Sequence, residues 1–221
     1  MSLKITASLA AIACAVIAGC ATGPATPPAA LVDGQLTQPA DYKSWPKFLS
    51  NIQRPDVKQV REIYMNKVAA TVVRGQPFPQ GSQFVMENYA AVANPDGTLQ
   101  TGPDGKLVKG NLVAVFVMGK NPGWGQNVAP ELRTGNWIFS GFKATGDKVD
   151  ADPVTCRGCH IAATPDGTKG AGPARDWVIR YDQYFDQKKA SLTTDAVVAS
   201  LSAAHGAISA HDLSSVSALQ R

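Results

Sequence analysis

Two cysteines and a histidine carry the most specific chemistry in this 221-residue chain, as Cys156-Arg157-Gly158-Cys159-His160. The C-x-x-C-H spacing is the attachment pattern of a c-type haem. Thiols three positions apart reach the two vinyl groups on one porphyrin edge, and the next residue turns its imidazole to the iron as proximal ligand. A dithiol redox pair is one alternative. Such a pair opens a helix within a βαβ unit, whereas here Asp152-Pro153 precedes the cysteines and a Gly-rich stretch follows. A structural zinc site is the other; it needs four ligands, and only His205 and His211 remain as further imidazoles, far along the chain. The expectation is one covalent haem c, bound by Cys156, Cys159 and His160, with His160 on the metal.

The remaining cysteines have separate explanations. Lys4 and the apolar run 5–18 form the n- and h-regions of a secretory signal, too short and Ala-rich for a bilayer span. Ile17-Ala18-Gly19-Cys20 resembles a bacterial lipobox, which implies cleavage before Cys20 and lipidation of its thiol. Ordinary cleavage near Ala21 or Thr22 is the alternative, and Cys14 leaves with the signal either way. Ala21 is not an inner-membrane retention residue. The expected location is therefore the periplasm, with the lipid in the outer membrane. Residues 20–40, rich in Ala, Thr, Pro and Gly, read as a flexible tether. The composition, 44% apolar and 17% charged, is that of a globular protein, and a formal charge of +4 without a basic run speaks against a nucleic-acid partner.

A haem with an empty sixth position binds small ligands, whereas one capped by Met or a second His mainly shuttles electrons. Met65, Met86 and Met118 fall in expected strands and read as core filling; no methionine follows the haem motif. His205 and His211 read as solvated. An open distal site lined by rings such as Phe78, Phe84 or Trp137 follows, with a six-coordinate electron-transfer cytochrome as the alternative.

The elements that must position this site read as mainly β. The Val-rich run 112–118 suits a strand buried on both faces, and 137–142 and 83–92 are two more strands. Residues 60–65 read as a strand followed by a short helix over 66–74, although Val57, Val60, Tyr64 and Val68 also fit a helical stripe. Asn94-Pro95-Asp96-Gly97 and Gly102-Pro103-Asp104-Gly105 make 94–110 a decorated hairpin connection. A helix is expected near 42–51, a haem-bearing turn at 155–161 and a later segment at 176–187. Residues 190–221, rich in Ala and Ser, read as a loose helix or a disordered tail. The fold class is α+β, mainly antiparallel sheet with a few helices. The divisions are 1–19 signal peptide, 20–40 lipid-anchored linker, 41–188 haem domain and 189–221 tail.

The order of several short motifs then becomes specific. Tyr42-Lys43-Ser44-Trp45 and Val60-Arg61-Glu62-Ile63-Tyr64-Met65-Asn66 come first, followed by Gly75-x-x-Phe78-Pro79-x-Gly81-Ser82 and Phe84-Val85-Met86-Glu87. Gly135-Asn136-Trp137-Ile138-Phe139 precedes the haem motif, and Tyr181-x-x-Tyr184-Phe185 closes the series. This pattern resembles the cytochrome P-460 family, which includes the cytochromes c′-beta. The resemblance implies an antiparallel β domain, often a homodimer, with a five-coordinate haem and an open distal pocket. Family members oxidise hydroxylamine, passing electrons to a periplasmic acceptor, or bind nitric oxide and related small nitrogen ligands. The oxidising members carry a lysine-to-haem crosslink and a distal carboxylate. Lys67 lies in roughly the right part of the chain for that crosslink, where Val72 and Val73 also stand, and Glu87 is the nearest candidate carboxylate. The plainer readings are favoured for both, a surface lysine for Lys67 and a solvated acid on a strand face for Glu87.

Overall fold

The computed structural model describes residues 30–150, 152–162 and 172–218. The signal segment, Cys14, Cys20 and residues 20–29 of the tether lie outside the described residues, as do the side chains of His205 and His211.

Six strands form one sheet in chain order: β1 (Lys47–Arg54), β2 (Gln59–Met65), β3 (Gln83–Ala91), β4 (Lys109–Lys120), β5 (Trp137–Lys143) and β6 (Lys148–Val149). Every neighbouring pair is antiparallel, so the sheet is a simple meander. Two helices follow, α1 (Pro153–Ile161) and α2 (Tyr181–Ala218). This is the expected α+β architecture. The hairpin connection between β3 and β4 is also as expected, with its two turns closed by bridges Ala93↔Leu99 and Thr101↔Leu107.

Both faces of the sheet are covered, which explains why β5 is buried along its length apart from Lys143. One face packs Phe48, Met65, Phe84, Trp137 and Phe139 against Phe78, Val178, Tyr181, Tyr184 and Phe185. The other gathers Leu36, Tyr42, Tyr64, Val85, Val115, Val117, Ile138 and Phe142. Full burial of each such side chain contributes about 1.5–3 kcal/mol, so both clusters are needed to order a sheet of this size. The run 112–118 is less buried than expected: Val113 is half-exposed, and tight burial begins only at Val115.

Several local expectations are corrected. Residues 42–51 are not a helix but a 3-10 turn at Tyr42–Ser44 followed by β1. The apolar spacing Phe48, Leu49, Ile52 mimics a helical stripe because register shifts flank Leu49 and Asn51 takes a left-handed backbone (φ 51°). Residues 66–74 keep only a 3-10 turn at Ala69–Thr71, with Asn66 accepting from Ala69 N through its side chain. The segment expected to bear the haem is a full helix rather than a turn, capped by Asp152, whose carboxylate accepts from Val154 N and Thr155 Oγ1, and opened by Pro153. The tail continues α2 to Ala218. Within the stretch expected to be tether, Leu36 is buried and Gly34 N donates to Phe139 O, so residues 33–36 pack on the domain.

Candidate haem site

Helix α1 presents Thr155, Cys156, Cys159 and His160 to a cavity of about 310 Å³ against one face of the sheet. That volume lies at the lower end of the roughly 300–1,000 Å³ typical of small-molecule sites. Period-2 alternation selects the strand residues that face it. Phe84, Met86 and Asn88 come from β3, Phe116 and Met118 from β4, and Ile63 and Arg61 from β2. Cross-strand register stacks them in rows: Ile63, Met86 and Phe116 in one, Phe84, Met118 and Phe139 in the next. Phe48 and Ile52 of β1 complete an apolar wall.

His160 is fixed by its second ring nitrogen. Its Nδ1 lies 2.7 Å from the carbonyl oxygen of Trp177. A carbonyl only accepts, so Nδ1 carries the proton and Nε2 keeps the lone pair that a metal requires. Burial pushes the His160 pKa below its ordinary value, and the nearby Arg157 charge adds to this against the opposing Trp177 hydrogen bond. The imidazole is therefore neutral near pH 7, the form that ligates. The Phe139 ring sits 4.8 Å from the imidazole, centroid to centroid.

Trp177 is itself held in an uncommon conformation. Asp176 and Trp177 both have left-handed backbones (φ 50° and 55°), which persist only where the surroundings over-determine them. Asp176 Oδ2 accepts from Lys120 Nζ at 2.7 Å and from Phe78 N at 2.9 Å, in a buried ion pair. Trp177 N donates to Gly172 O, and its ring packs on Gly135, where a Cβ would lie 2.8 Å from it.

Arg157, between the two cysteines, faces away from the cavity and is fully buried. Its Nε donates to Asp33 Oδ2 at 2.8 Å, Nη1 to Leu132 O and Thr134 Oγ1, and Nη2 to Trp137 O. Asp33 also accepts from Phe139 N through Oδ1. The helix bearing the cysteines is thus bolted to β5 and to the chain entering the domain. Gly125 lets Arg157 in: a Cβ there would lie 2.9 Å from Nη2. Neither cysteine is in a disulfide; Cys156 is half-buried and Cys159 exposed. Burial, then the charges of Asp33, Asp152 and Cys159, pushes the Cys156 thiol up.

The candidates from sequence divide sharply. Cys156, Cys159, His160 and Phe84 meet at the cavity. Phe78 and Trp137 instead lie in the core beneath it, whereas Phe48, Phe116 and Phe139 supply the other rings. Met65 is core, but Met86 and Met118 line the cavity rather than merely filling the interior. Lys67 does not approach the site; it is exposed in the turn after β2, and no lysine is among the cavity-lining residues described.

Glu87 is corrected on both of its readings. It is neither solvated nor in the cavity, because odd positions of β3 point to the opposite face. There its oxygens accept from the hydroxyls of Tyr42 (2.7 Å), Tyr89 (2.8 Å) and Tyr64 (3.1 Å), with Lys43 Nζ 3.7 Å away. Burial pushes the Glu87 carboxyl up, but the three hydroxyls and Lys43 outweigh it and leave the pKa below the ordinary value. Of the buried polar side-chain atoms without a partner among the described residues, Asn88 Oδ1 and Ser140 Oγ belong to cavity-lining residues, whereas Gln38 Oε1, Ser82 Oγ and Trp137 Nε1 do not. Two thiols, a neutral imidazole with Nε2 free to ligate, a flat apolar wall and unpartnered polar atoms together suit a covalently attached planar macrocycle.

The family model Cytochrome P460 matches residues 39–180, more than half of the chain. No curated protein matches it.

Proposed function

This chain belongs to the cytochrome P460 family, a family of haem proteins, and from that premise we propose that it binds nitric oxide and related small nitrogen ligands at an open haem face. Cys156 and Cys159 are the thioether positions and His160 Nε2 is the proximal ligand in this reading. The haem that these residues would hold would supply an iron able to bind a small ligand. Trp177 O orients that imidazole and raises its basicity, as a hydrogen-bonded partner of a metal-ligating histidine does.

The observation that carries the choice is the cavity lining. Phe48, Phe84, Phe116, Met86 and Met118 make an apolar wall, and no carboxylate is among the lining residues described. Such a wall admits an uncharged diatomic without requiring a proton relay. Hydroxylamine oxidation releases protons as electrons leave and calls for a base within hydrogen-bond reach. Asn88 and Ser140, the neutral polar groups of the lining, are not bases at neutral pH. Glu87 faces the other side and Lys67 is exposed, so neither supports the oxidase reading. We also propose that the protein is exported and held to the periplasmic face of the outer membrane by lipid on Cys20, from the signal-like residues 1–20.

Incubating the holoprotein with hydroxylamine and an artificial electron acceptor tests the choice. No sustained acceptor reduction is expected; steady turnover would replace ligand binding with oxidation.

A further inference from the structure

The cavity has two chemically different ends. Apolar rings and methionines gather at His160, while Arg54, Arg61 and Arg180 line the wall further along the sheet, beside Asn88. Register places Arg61 opposite Asn88, four residues along β3 from Phe84, or roughly 13 Å at the rise of a strand. Arg54 and Arg61 lie close enough for their charges to repel, and the carboxylate that holds Arg54, Asp56, stands outside the cavity lining.

Arg61 is the most exacting of these groups. Its Nε and Nη2 both donate to one neutral acceptor, Gln59 Oε1, at 3.2 and 3.0 Å. Burial first, and then the nearby Arg54 charge, push its pKa down. Arg54 places Nε and Nη2 on Asp56, a carboxylate that is itself largely exposed. Asn88 is buried with Oδ1 unpartnered; exchanging the two ends of its amide would put a donor in the same place without changing its shape. A half-buried cation, a second cation and a convertible amide form a recess for an acceptor-only group.

We propose that Arg61, with Arg54 and the Asn88 amide, forms an oxyanion site at this end of the cavity for a planar carboxylate-class group. Two sources fit that chemistry: the propionate carboxylates of the haem, or a free oxyanion such as nitrite. The proposal rests on the haem reading only for the first source. Guanidinium forks recognise both, because two parallel N–H donors match two oxygens on one atom.

The test uses the purified full-length protein and its Arg61→Gln, Arg61→Lys and Arg54→Gln variants, with covalent haem measured first. If propionates occupy the site, their resonance Raman bending modes shift in Arg61→Gln, shift less in Arg54→Gln, and do not respond to nitrite in the parent. If a free oxyanion occupies it, calorimetric nitrite binding weakens about tenfold or more in Arg61→Gln, as loss of a charge-assisted bond predicts, and is partly restored in Arg61→Lys. Unchanged propionate modes together with unchanged nitrite affinity, in folded variants with haem intact, overturn the proposal. A parent without covalent haem overturns the haem reading and the propionate source, and the calorimetric arm then decides the free-anion source by itself. Should Arg61→Gln not fold, Arg61→Lys and Arg54→Gln carry the same comparison.

Discussion

The two faces of β3 differ by one residue step and by almost everything chemical. Val85, Glu87 and Tyr89 point to a closed face, where a buried carboxylate accepts from three tyrosine hydroxyls. Phe84, Met86 and Asn88 point to the open face, where Asn88 Oδ1 has no partner. Burial alone would rank Glu87 as the more interesting group, since it is completely enclosed. Satisfaction reverses the ranking. A charged group whose acceptors are filled supports the fold, and an orphaned neutral group beside a cavity marks the place where something else belongs.

That contrast can be broken from either side. The largest effect is expected for Glu87→Ala, which strips three hydroxyls and Lys43 of their common acceptor. Stability should fall by about 3–5 kcal/mol in denaturant unfolding, while nitric oxide affinity of the folded fraction stays unchanged. Altered affinity with intact stability would place Glu87 at the site after all. Asp33→Asn tests the bolt behind the haem motif, because it removes the charge that faces buried Arg157. A loss of about 1–3 kcal/mol should appear by the same method, and no loss would mean that Arg157 is held by its carbonyl partners alone.

Acid unfolding gives a finer cut. The folded pKa of Glu87 is depressed, so its contribution is present above the unfolded carboxylate value, about 4.3, and is lost as pH falls through the lower folded value. Glu87→Gln should flatten the stability profile in that acidic window and leave its neutral-pH slope alone. The smallest effect is expected for Asn88→Leu, which removes the unpartnered Oδ1 on the open face. The change should stay within about 1 kcal/mol or be stabilising. A loss matching Glu87→Ala would erase the distinction between the faces.

The triplet proposed to hold the haem stands out in the sequence because its chemistry is local: Cys156, Cys159 and His160 need only their spacing. The central strands were legible for the same reason, as runs of Val, Phe and Ile with turns between them. β1 was not, because a left-handed Asn51 and two register shifts break the alternation that identifies a strand. The role of Glu87 was hidden by a different limit. Alternation says that residues 86 and 87 face opposite ways, but with both faces buried it cannot say which face holds the cavity. Arg157 and Asp33 lie 124 positions apart, and no local pattern joins them. The turn glycine Gly125 and the dipeptide Asp176-Trp177 likewise acquire meaning only once their neighbours are known.

The central claim is an open, apolar face opposite His160, and titrating the reduced holoprotein with nitric oxide while recording its optical spectrum tests it most directly. A five-coordinate high-spin spectrum that converts saturably at one equivalent of nitric oxide per haem is the predicted result. A six-coordinate low-spin spectrum that nitric oxide leaves unchanged would contradict it, and would direct attention to Met86 and Met118 on the cavity wall as the occupants of the sixth position.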